Sequence, residues 1–261
     1  MDRHERLTAV LDMLSDQDSI TVDDVVEKLG ASPATVRRDL DHLAKQQLLT
    51  RTRGGAVAAS VSYDLPLRYK ASRQAPEKER IAQVVAGLIR PGSTIGLNGG
   101  TTTTNIARAI ALHEAFQTDG SQPGVTVVTN ALNIASELAV RPQVKVVVVG
   151  GVVRTHSYEI IGPLAERMLE GLSVGMAVIG VDAISPEFGA MAFDEREAAT
   201  NALLAAHAER VVVAADSSKL DQRAFARIVP VSALDVLVTD VDADARVVER
   251  FRETGVEVFQ A

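Results

Sequence analysis

Several residue types are absent or rare in this sequence of 261 residues, and each absence narrows what the chain can be. There is no cysteine, which excludes disulfide bonds, cysteine-ligated metals and thiol catalysis, and favours a reducing compartment. Aromatic residues make up only 3% of the chain and hydrophobic residues 46%, so the core must be built mainly from small aliphatic side chains. Such a composition is typical of buried strands flanked by helices.

Long apolar runs are absent too. The longest, Val146 to Val153, is far too short to cross a bilayer, and the first residues are charged rather than signal-like. We therefore expect a cytoplasmic protein with no membrane partner.

The chain as a whole also lacks the excess of basic charge that DNA-binding surfaces usually show, since its formal net charge is −7. The charge is unevenly distributed, however. Residues 32–56 contain five basic and two acidic side chains, which leaves a local charge of +3, whereas residues 2–27 contain eight acidic side chains and two arginines. One face of the N-terminal region can therefore be basic although the chain is acidic.

The N-terminal region shows the pattern of a winged helix-turn-helix. Apolar residues at intervals of three and four predict three short amphipathic helices, centred on residues 7–14, 22–29 and 36–43. Thr21 and Asp24 resemble a capping box at the start of the second helix, and Ser32 followed by Pro33 is typical of the start of the third. Residues 48–58, with a central Gly-Gly turn, predict a hairpin that forms the wing.

The first turns of the third helix are expected to enter the major groove, where exposed residues must be small or able to donate hydrogen bonds. An arginine there can donate two hydrogen bonds to guanine or to phosphate, while arginines of the hairpin are expected to meet the phosphate backbone. The Gly-Gly turn would let the wing approach the duplex closely. The predicted DNA-binding residues are Ser32, Ala34, Thr35, Arg37, Arg38, Arg51, Arg53, Gly54 and Gly55. The alternative is a solvated charged helix and hairpin in a fold that serves protein contacts.

A polar segment containing Pro66 and Pro76 indicates a linker, so we predict a winged helix-turn-helix over residues 3–58, a linker over 59–76 and a second domain over 77–261. In the second domain apolar runs alternate with helical patterns, which predicts a Rossmann-like α/β fold with a mostly parallel sheet. The predicted strands are Thr94–Leu97, Val125–Thr129, Val144–Val149, Ala177–Val181, Val211–Ala215, Val236–Thr239 and Val256–Phe259.

Polar or glycine-rich segments follow several of these strands, and ligands of open α/β sheets bind at the carboxyl ends of the strands. The segment Asn98-Gly-Gly-Thr-Thr-Thr-Thr104 follows the first strand and opens a helix, so its backbone N–H groups and hydroxyls are suited to an anion. It matches neither nucleotide-binding glycine motif, and we predict no cofactor and no metal. Asn130, Asp182 and Lys219 follow three later strands.

Two stretches carry a resemblance to a known family. Residues 21–40, with Ser32-Pro-Ala-Thr-Val-Arg-Arg-Asp-Leu40, and residues 48–56, ending in Arg51-Thr-Arg-Gly-Gly-Ala56, closely resemble the DeoR/GlpR family of bacterial transcription regulators. The resemblance continues through almost the whole chain. It implies a repressor of a carbohydrate-metabolism operon that binds double-stranded operator DNA, and we expect it to act as a homodimer or homotetramer. It also implies a C-terminal domain similar to sugar isomerases and CoA-transferases that senses a phosphorylated sugar.

The resemblance also implies roles for single residues. Gly100 to Thr103 would hold the phosphate, Asn130 and Asp182 would face the polyol, and Lys219 would neutralise anionic charge. Asn98 is a departure, because many relatives have Asp there. The expected effector-binding set is Asn98, Gly100, Thr101, Thr102, Thr103, Asn130, Asp182, Glu197 and Lys219.

Two alternatives remain for the second domain. Arg196-Glu197-Ala198 and Asp216-Ser-Ser-Lys219 are similar to segments of ribose-5-phosphate isomerases, in which such a glutamate is the catalytic base, so a fused isomerase is possible. The isomerases' lysine before that glutamate has no counterpart here, however. The other alternative is a plain oligomerisation module. We expect a regulator and not an enzyme.

Overall fold

The computed structural model describes residues 1–17, 19–46, 48–58, 66–70, 74–118 and 122–261. They form two compact units, Met1–Arg73 and Gln74–Ala261, so the boundary falls within the predicted linker. Residues 59–65 and 71–73 of that linker lie outside the described residues. No helix in the described part of the chain has both the length and the apolar character needed to span a membrane.

The first unit is the predicted winged helix-turn-helix. It contains the helices α1 (Arg3–Gln17), α2 (Val22–Leu29), α3 (Pro33–Lys45) and α4 (Leu67–Lys70), and the strands β1 (Ser19–Thr21), β2 (Leu49–Arg51) and β3 (Gly55–Ala58). The apolar stripes seen in the sequence form its core, because Leu7, Val10, Leu11, Leu14, Val36, Leu40 and Leu43 are all buried together.

The sheet of this unit has one strand more than the predicted hairpin. Its order is β1-β3-β2, and β1 pairs with β3 in antiparallel fashion. Three residues are too few to show a strand's alternating pattern. Thr21, moreover, is both the last residue of β1 and the N-cap of α2, where it forms the expected capping box with Asp24. The sequence pattern around Thr21 predicts the start of α2, and it did not indicate strand β1.

Two parts of the predicted linker have regular structure. Helix α4 packs on the other elements of the first unit through Tyr69, which is 3% exposed. The Tyr69 ring stacks on His4 with 5.6 Å between ring centroids, and its hydroxyl donates a hydrogen bond to Gln46 Oε1 at 3.0 Å. Pro76, which suggested a linker in the sequence, is the second residue of a helix that begins at Ala75. A proline fits there because the first turn of a helix leaves its N–H groups unpaired.

The second unit is an α/β domain. Its helices are α5 (Ala75–Leu88), α6 (Thr101–Leu112), α7 (Leu132–Leu138), α8 (Pro163–Glu170), α9 (Glu195–Ala206) and α10 (Ala245–Glu253). Its strands are β4 (Thr94–Leu97), β5 (Val125–Thr129), β6 (Val144–Val148), β7 (Val152–Val153), β8 (Ile160–Ile161), β9 (Met176–Gly180), β10 (Ala183–Ser185), β11 (Gly189–Ala192), β12 (Val211–Ala214), β13 (Ala226–Val229), β14 (Val236–Thr239) and β15 (Glu257–Gln260).

Seven of these strands form one sheet in the order β15-β14-β12-β9-β4-β5-β6, with every neighbouring pair parallel. They are the seven strands predicted from the sequence, and the Rossmann-like fold is confirmed. One face packs against α5, α6 and α7, and the other against α8, α9 and α10. The sequence did not indicate the small antiparallel groups β10-β11-β13 and β7-β8, whose strands are only two to four residues long.

The strand order reverses beside β4. Strand β4 is the first strand of this sheet along the chain, and β5 and β6 follow on one side of it. The chain then returns, and β9 lies on the other side of β4. Consecutive connections therefore leave β4 and β9 on opposite faces, and in sheets of this kind ligands bind outside the carboxyl ends of two such strands.

Candidate DNA interface and ligand site

The first turn of α3 is fixed by its own cap. Ser32 Oγ accepts a hydrogen bond from the Thr35 N–H at 3.3 Å and lies 2.9 Å from Thr35 Oγ1. Gly30 ends α2 with φ at 65°, a left-handed conformation that glycine adopts without strain and that lets the chain reverse before α3. The exposed Ala34 lies in this same turn.

The two arginines of α3 are both exposed but differ in their contacts. Arg38 donates to Ala34 O at 3.3 Å and to Thr35 Oγ1 at 3.4 Å, so its guanidinium lies along the first turn of the helix. The Arg37 side chain makes no hydrogen bond or ion pair with any residue that the structure describes. It is therefore the arginine that is free to reach a partner without breaking a contact.

The two arginines of the wing also differ in whether their side chains have partners among the described residues. Arg51 Nε lies 2.8 Å from Asp41 Oδ1, and its Nη1 donates to Gly55 O, so Arg51 joins α3 to the hairpin. Arg53 is exposed beside Gly54 at the tip and has no partner among the described residues. A phosphate contact by Arg51 would compete with its existing partners, whereas one by Arg53 would not.

Gly54 and Gly55 have different reasons to be glycine. A Cβ added at Gly54 would meet nothing within 4 Å, but one at Gly55 would lie 1.9 Å from the carbonyl oxygen of Ile20 in β1. Gly55 is buried, and its lack of a side chain allows β3 to pair with β1. Strand packing, rather than close approach of DNA, accounts for this glycine.

Sequence reasoning missed the role of Asp39. This residue is buried on α3, accepts a hydrogen bond from Arg6 Nε and lies 3.8 Å from Arg3 Nε, so it ties α3 to α1. The hydrogen bond to Asp39 raises the pKa of Arg6. The signal was present in the pattern, because position 39 lies between Val36 and Leu40 on the inward face of the predicted helix.

The loop from β4 to α6 lies at the reversal of the strand order. Gly100, with φ at 138°, is the N-cap of α6 and offers no side-chain cap. The N–H groups of Thr101, Thr102 and Thr103 find no hydrogen-bond acceptor among the described residues. Three backbone donors and the positive end of the helix dipole are thus available to an anion.

The threonine side chains of this loop are not equivalent. Thr103 Oγ1 and Thr104 Oγ1 donate to Gly100 O at 3.2 and 2.6 Å, and the Thr103 methyl group packs near Gly180. The hydroxyls of Thr101 and Thr102 make no such bond to a described residue. If hydroxyls contact a ligand here, those of Thr101 and Thr102 are the ones that can do so without breaking an internal bond.

Asn98 bridges the two central strands. Its Oδ1 accepts from the Gly180 N–H at 2.7 Å and its Nδ2 donates to Gly180 O at 2.9 Å, and the side chain is buried. An aspartate can accept but not donate, so asparagine satisfies both backbone groups of Gly180. The polar atoms of Asn98 are engaged within the protein rather than directed at a ligand.

A buried polar network joins Asn130 to the β4–α6 loop. Asn130 Nδ2 donates to Asn201 Oδ1 at 3.1 Å, Asn201 Nδ2 lies 3.3 and 3.4 Å from the two carboxyl oxygens of Glu159, and Glu159 accepts from the Gly99 N–H. Asn130 Oδ1 is buried and accepts no hydrogen bond from any of the described residues. Since buried polar atoms are rarely left unpaired, this acceptor marks a place for a donor.

Glu159 is the residue of this network that sequence reasoning missed. It is 2% exposed, and burial, reinforced by the negative charge of Glu197, raises its pKa to about 8. The hydrogen bonds from Gly99 and Asn201 act in the opposite direction. The only sequence signal was an acidic residue directly before the apolar pair Ile160-Ile161.

Asp182 and Glu197 lie near Glu159 and have partners of their own. Asp182 Oδ2 accepts from the Phe193 N–H at 3.0 Å. Arg154, also missed from the sequence, bridges Glu197 Oε1 at 3.1 Å and Asp194 Oδ2 at 2.9 Å. Burial alone would raise the pKa of Asp194, but hydrogen bonds from Arg196 and the Glu197 N–H, together with the Arg154 charge, hold it below its usual value.

Lys219 stands apart from these residues. It ends a short 3₁₀ turn after β12, which is two strands away from β4, and its ammonium group makes no hydrogen bond or ion pair with a described residue. Asp216 caps that turn by accepting from the Ser218 N–H at 3.2 Å. The structure thus places Lys219 at the same edge of the sheet but does not join it to the other predicted residues.

Comparison with known proteins identifies both units. Residues 6–61 match the model of the DeoR-like helix-turn-helix domain, and residues 73–241 match that of the DeoR C terminal sensor domain. The chain therefore belongs to the DeoR family of transcriptional regulators, and it is a DNA-binding regulator rather than an enzyme.

Relatives match over nearly the whole chain. A putative aga operon transcriptional repressor of Escherichia coli O157:H7 is 33% identical over 258 residues, which is 98% of this chain and 93% of that protein. The glycerol-3-phosphate regulon repressor of Escherichia coli K12 is 29% identical over 95% of each chain. A solved structure of ribose 5-phosphate isomerase from Methanocaldococcus jannaschii matches 56% of this chain and 55% of its own, with 19% identity and a TM-score of 0.41. Structural similarity at this level does not indicate a shared function.

Proposed function

We propose that this regulator represses a carbohydrate-metabolism operon and leaves its operator when a phosphorylated sugar binds to the second unit. The observation that carries the proposal is the first turn of α6, where three backbone N–H groups lack an acceptor among the described residues at the reversal of the strand order. A phosphate group satisfies these donors and the helix dipole together. The names of the two repressors reported above agree with a regulator of this kind.

The groups near α6 suit the remainder of a sugar phosphate. The carboxylates of Asp182 and Glu197 and the unpaired Asn130 Oδ1 can accept hydrogen bonds from sugar hydroxyls. The Lys219 ammonium group, which pairs with no acidic side chain in the described part of the chain, can neutralise part of the ligand charge. Because Glu197 accepts a hydrogen bond from Arg154, its carboxylate is suited to accept a hydrogen bond from a sugar hydroxyl rather than to act as a strong base.

In the first unit, Arg37 and Arg38 would contact bases or phosphates, and Arg53 would contact the phosphate backbone beside the wing. A single module with a local charge of +3 provides few phosphate contacts, so we infer that two modules act together in a homodimer or homotetramer. Paired modules would contact half-sites about 34 Å apart, or a multiple of that distance. The effector would favour the conformation in which the two modules no longer match that spacing.

The test is a thermal-shift screen of sugar phosphates against the full chain. An effector present at about 100 times its dissociation constant stabilises the state it binds by about 2.7 kcal/mol. An effector found in this way should also release the protein from operator DNA. If no sugar phosphate raises the melting temperature, the sensing part of the proposal is wrong while DNA binding stays unaffected.

A matched pair of variants at Thr101 tests the phosphate site directly. Thr101→Pro removes one backbone N–H at the first position of α6, where proline is tolerated, and Thr101→Ala removes only the hydroxyl. Loss of a hydrogen bond to a charged group costs about 1.5 to 3 kcal/mol, so Thr101→Pro should weaken the effector about tenfold or more. Equal effector affinity in Thr101→Pro and the unaltered chain contradicts a phosphate at this turn.

A further inference from the structure

We propose that Glu159 is a proton-linked residue of the ligand site, so that binding of a dianion at the first turn of α6 is accompanied by uptake of a proton on Glu159. The inference rests on the proposed phosphate site and adds to it the residue that makes ligand affinity depend on pH.

The Glu159 carboxyl group lies directly against the loop that precedes α6. Glu159 accepts a hydrogen bond from the N–H of Gly99, two residues before α6 begins. A Cβ at Gly99 would lie 2.5 Å from Glu159 Cγ and 2.8 Å from Oε1, so the loop backbone rests on this side chain with no space between them. The carboxyl group therefore contacts the same loop whose N–H groups at Thr101 to Thr103 would hold an anion.

The charged groups nearest to Glu159 do not stabilise a negative charge on its carboxyl group. Glu197 on α9 and Asp182 after β9 are acidic, and both raise its pKa. Asn201, its hydrogen-bond partner on α9, is neutral. Arg154 and the exposed His156 lie on the same loop as Glu159, and Arg154 bonds to Asp194 and Glu197.

The ionised form of the Glu159 carboxyl group is unfavourable because the side chain is buried. Glu159 is fully enclosed, where charges of like sign repel each other more strongly than in water. Its pKa is about 8, so at about pH 8 roughly half of the free protein carries the proton, and additional repulsion shifts this balance toward the protonated form. A bound dianion raises this pKa further, and linkage requires the protonated protein to bind the dianion more tightly in return.

The unpaired Asn130 Oδ1 independently marks this cluster as a ligand site. It belongs to the same network as Glu159 through Asn201, it is buried, and no described residue donates to it. A hydroxyl of the ligand supplies the missing donor. Glu159 is therefore joined by hydrogen bonds to the loop before α6, through Gly99, and to Asn130, through Asn201.

Sulfate is the probe for the test, because it is a dianion that does not itself titrate near neutral pH. Its affinity for the full-length protein is measured by calorimetry at about pH 7, 8 and 9. With a pKa of about 8 in the free protein, affinity should fall about tenfold from pH 7 to pH 9. Titrations at pH 8 in two buffers of different ionisation enthalpy should show uptake of up to about half a proton for each sulfate bound.

Two variants assign the proton to one residue. Glu159→Gln keeps a side-chain oxygen for the Gly99 N–H but cannot ionise, so its sulfate affinity should be the same at pH 7 and pH 9. Glu170→Gln, which removes an exposed acid at the end of α8, should retain the pH dependence of the unaltered protein. If Glu159→Gln does not fold, the proton count on the unaltered protein still decides the question.

The outcomes separate this inference from the function on which it rests. Sulfate binding with constant affinity from pH 7 to pH 9, or a pH dependence that survives Glu159→Gln, overturns the proton linkage and leaves the phosphate site in place. Absence of sulfate binding at every pH overturns both. A fall in affinity that disappears in Glu159→Gln supports both.

Discussion

Replacing Gly55 by alanine should damage the wing, whereas the same change at Gly54 should not. The two glycines are neighbours at the tip of one hairpin and resemble each other in sequence. In the structure a Cβ at Gly55 would lie 1.9 Å from Ile20 O and 2.8 Å from Thr21 Cα, whereas one at Gly54 would have nothing within 4 Å.

The expected magnitude follows from what must move. Both close atoms belong to the backbone of β1, so no side-chain rotation relieves the overlap, and β3 must shift by about 1 Å or more away from β1. Forced overpacking costs about 1 to 3 kcal/mol, and loss of a backbone hydrogen bond such as Val22 N–H to Gly54 O adds about 1 kcal/mol. We expect Gly55→Ala to destabilise the first unit by about 2 to 4 kcal/mol and Gly54→Ala by less than about 0.5 kcal/mol.

Hydrogen exchange of the full-length chain measures this locally, through the amides of residues 19–21 and 55–58, and DNA binding by fluorescence anisotropy reports the consequence for the wing. Exchange in the second unit serves as an internal reference. Equal protection of the hairpin in the two variants would refute the strand-packing role of Gly55. Loss of DNA affinity in both variants, with the hairpin intact, would instead favour close approach of DNA at the Gly-Gly turn.

Three further predictions concern the arginines Arg37 and Arg53, the tyrosine Tyr69 and the buried Glu159. On the proposal that Arg37 contacts a guanine, Arg37→Ala should cost about 1 to 3 kcal/mol of specific operator binding. Arg53→Ala should weaken binding to all sequences alike and reduce the slope of log affinity against log salt concentration by about one. Anisotropy titrations over a range of salt concentrations distinguish the two effects. Tyr69→Phe keeps the stack on His4 but loses the hydrogen bond to Gln46, so the first unit should lose about 1 kcal/mol in denaturation, and an unchanged midpoint would contradict the contact. Glu159 keeps a proton in the folded chain up to a pKa of about 8 that the unfolded chain releases near 4.5, so its contribution to stability declines between these values. Glu159→Gln should therefore raise the melting temperature, relative to the unaltered chain, more at pH 8 than at pH 5, and an equal difference at both would contradict the raised pKa.

The fold of this protein follows closely from local patterns. Stripes such as Leu7 to Leu14 and runs such as Val125 to Thr129 are strong because one face or both faces of each element are buried. The elements that the sequence did not indicate are short or share their residues with another signal. Strand β1 has three residues, one of which also caps α2, and helix α4 has four residues next to a proline that suggests a linker.

The candidate sites were predictable in part. Residues with a local reason, such as the cap of Ser32 on α3 or the opening of α6 after Gly100, lie where the pattern placed them. Residues that act through distant partners were not. Arg154 meets Asp194 forty residues later, and Glu159 meets Gly99 sixty residues earlier, and no local pattern encodes these separations.

The sequence alone determined that the chain begins with a winged helix-turn-helix and continues as an α/β domain with a glycine- and threonine-rich loop at the carboxyl end of β4. These features depend on burial periodicity, capping and turn chemistry, which act over a few residues. Only the tertiary structure decided which polar groups stay free and which are engaged. It paired Arg51 with Asp41 and left Arg53 exposed, it fixed Asn98 between two strands, and it enclosed Glu159 beneath the loop. The reason is that packing brings residues far apart in sequence into contact, and those contacts determine the charge and hydrogen-bonding capacity of the site.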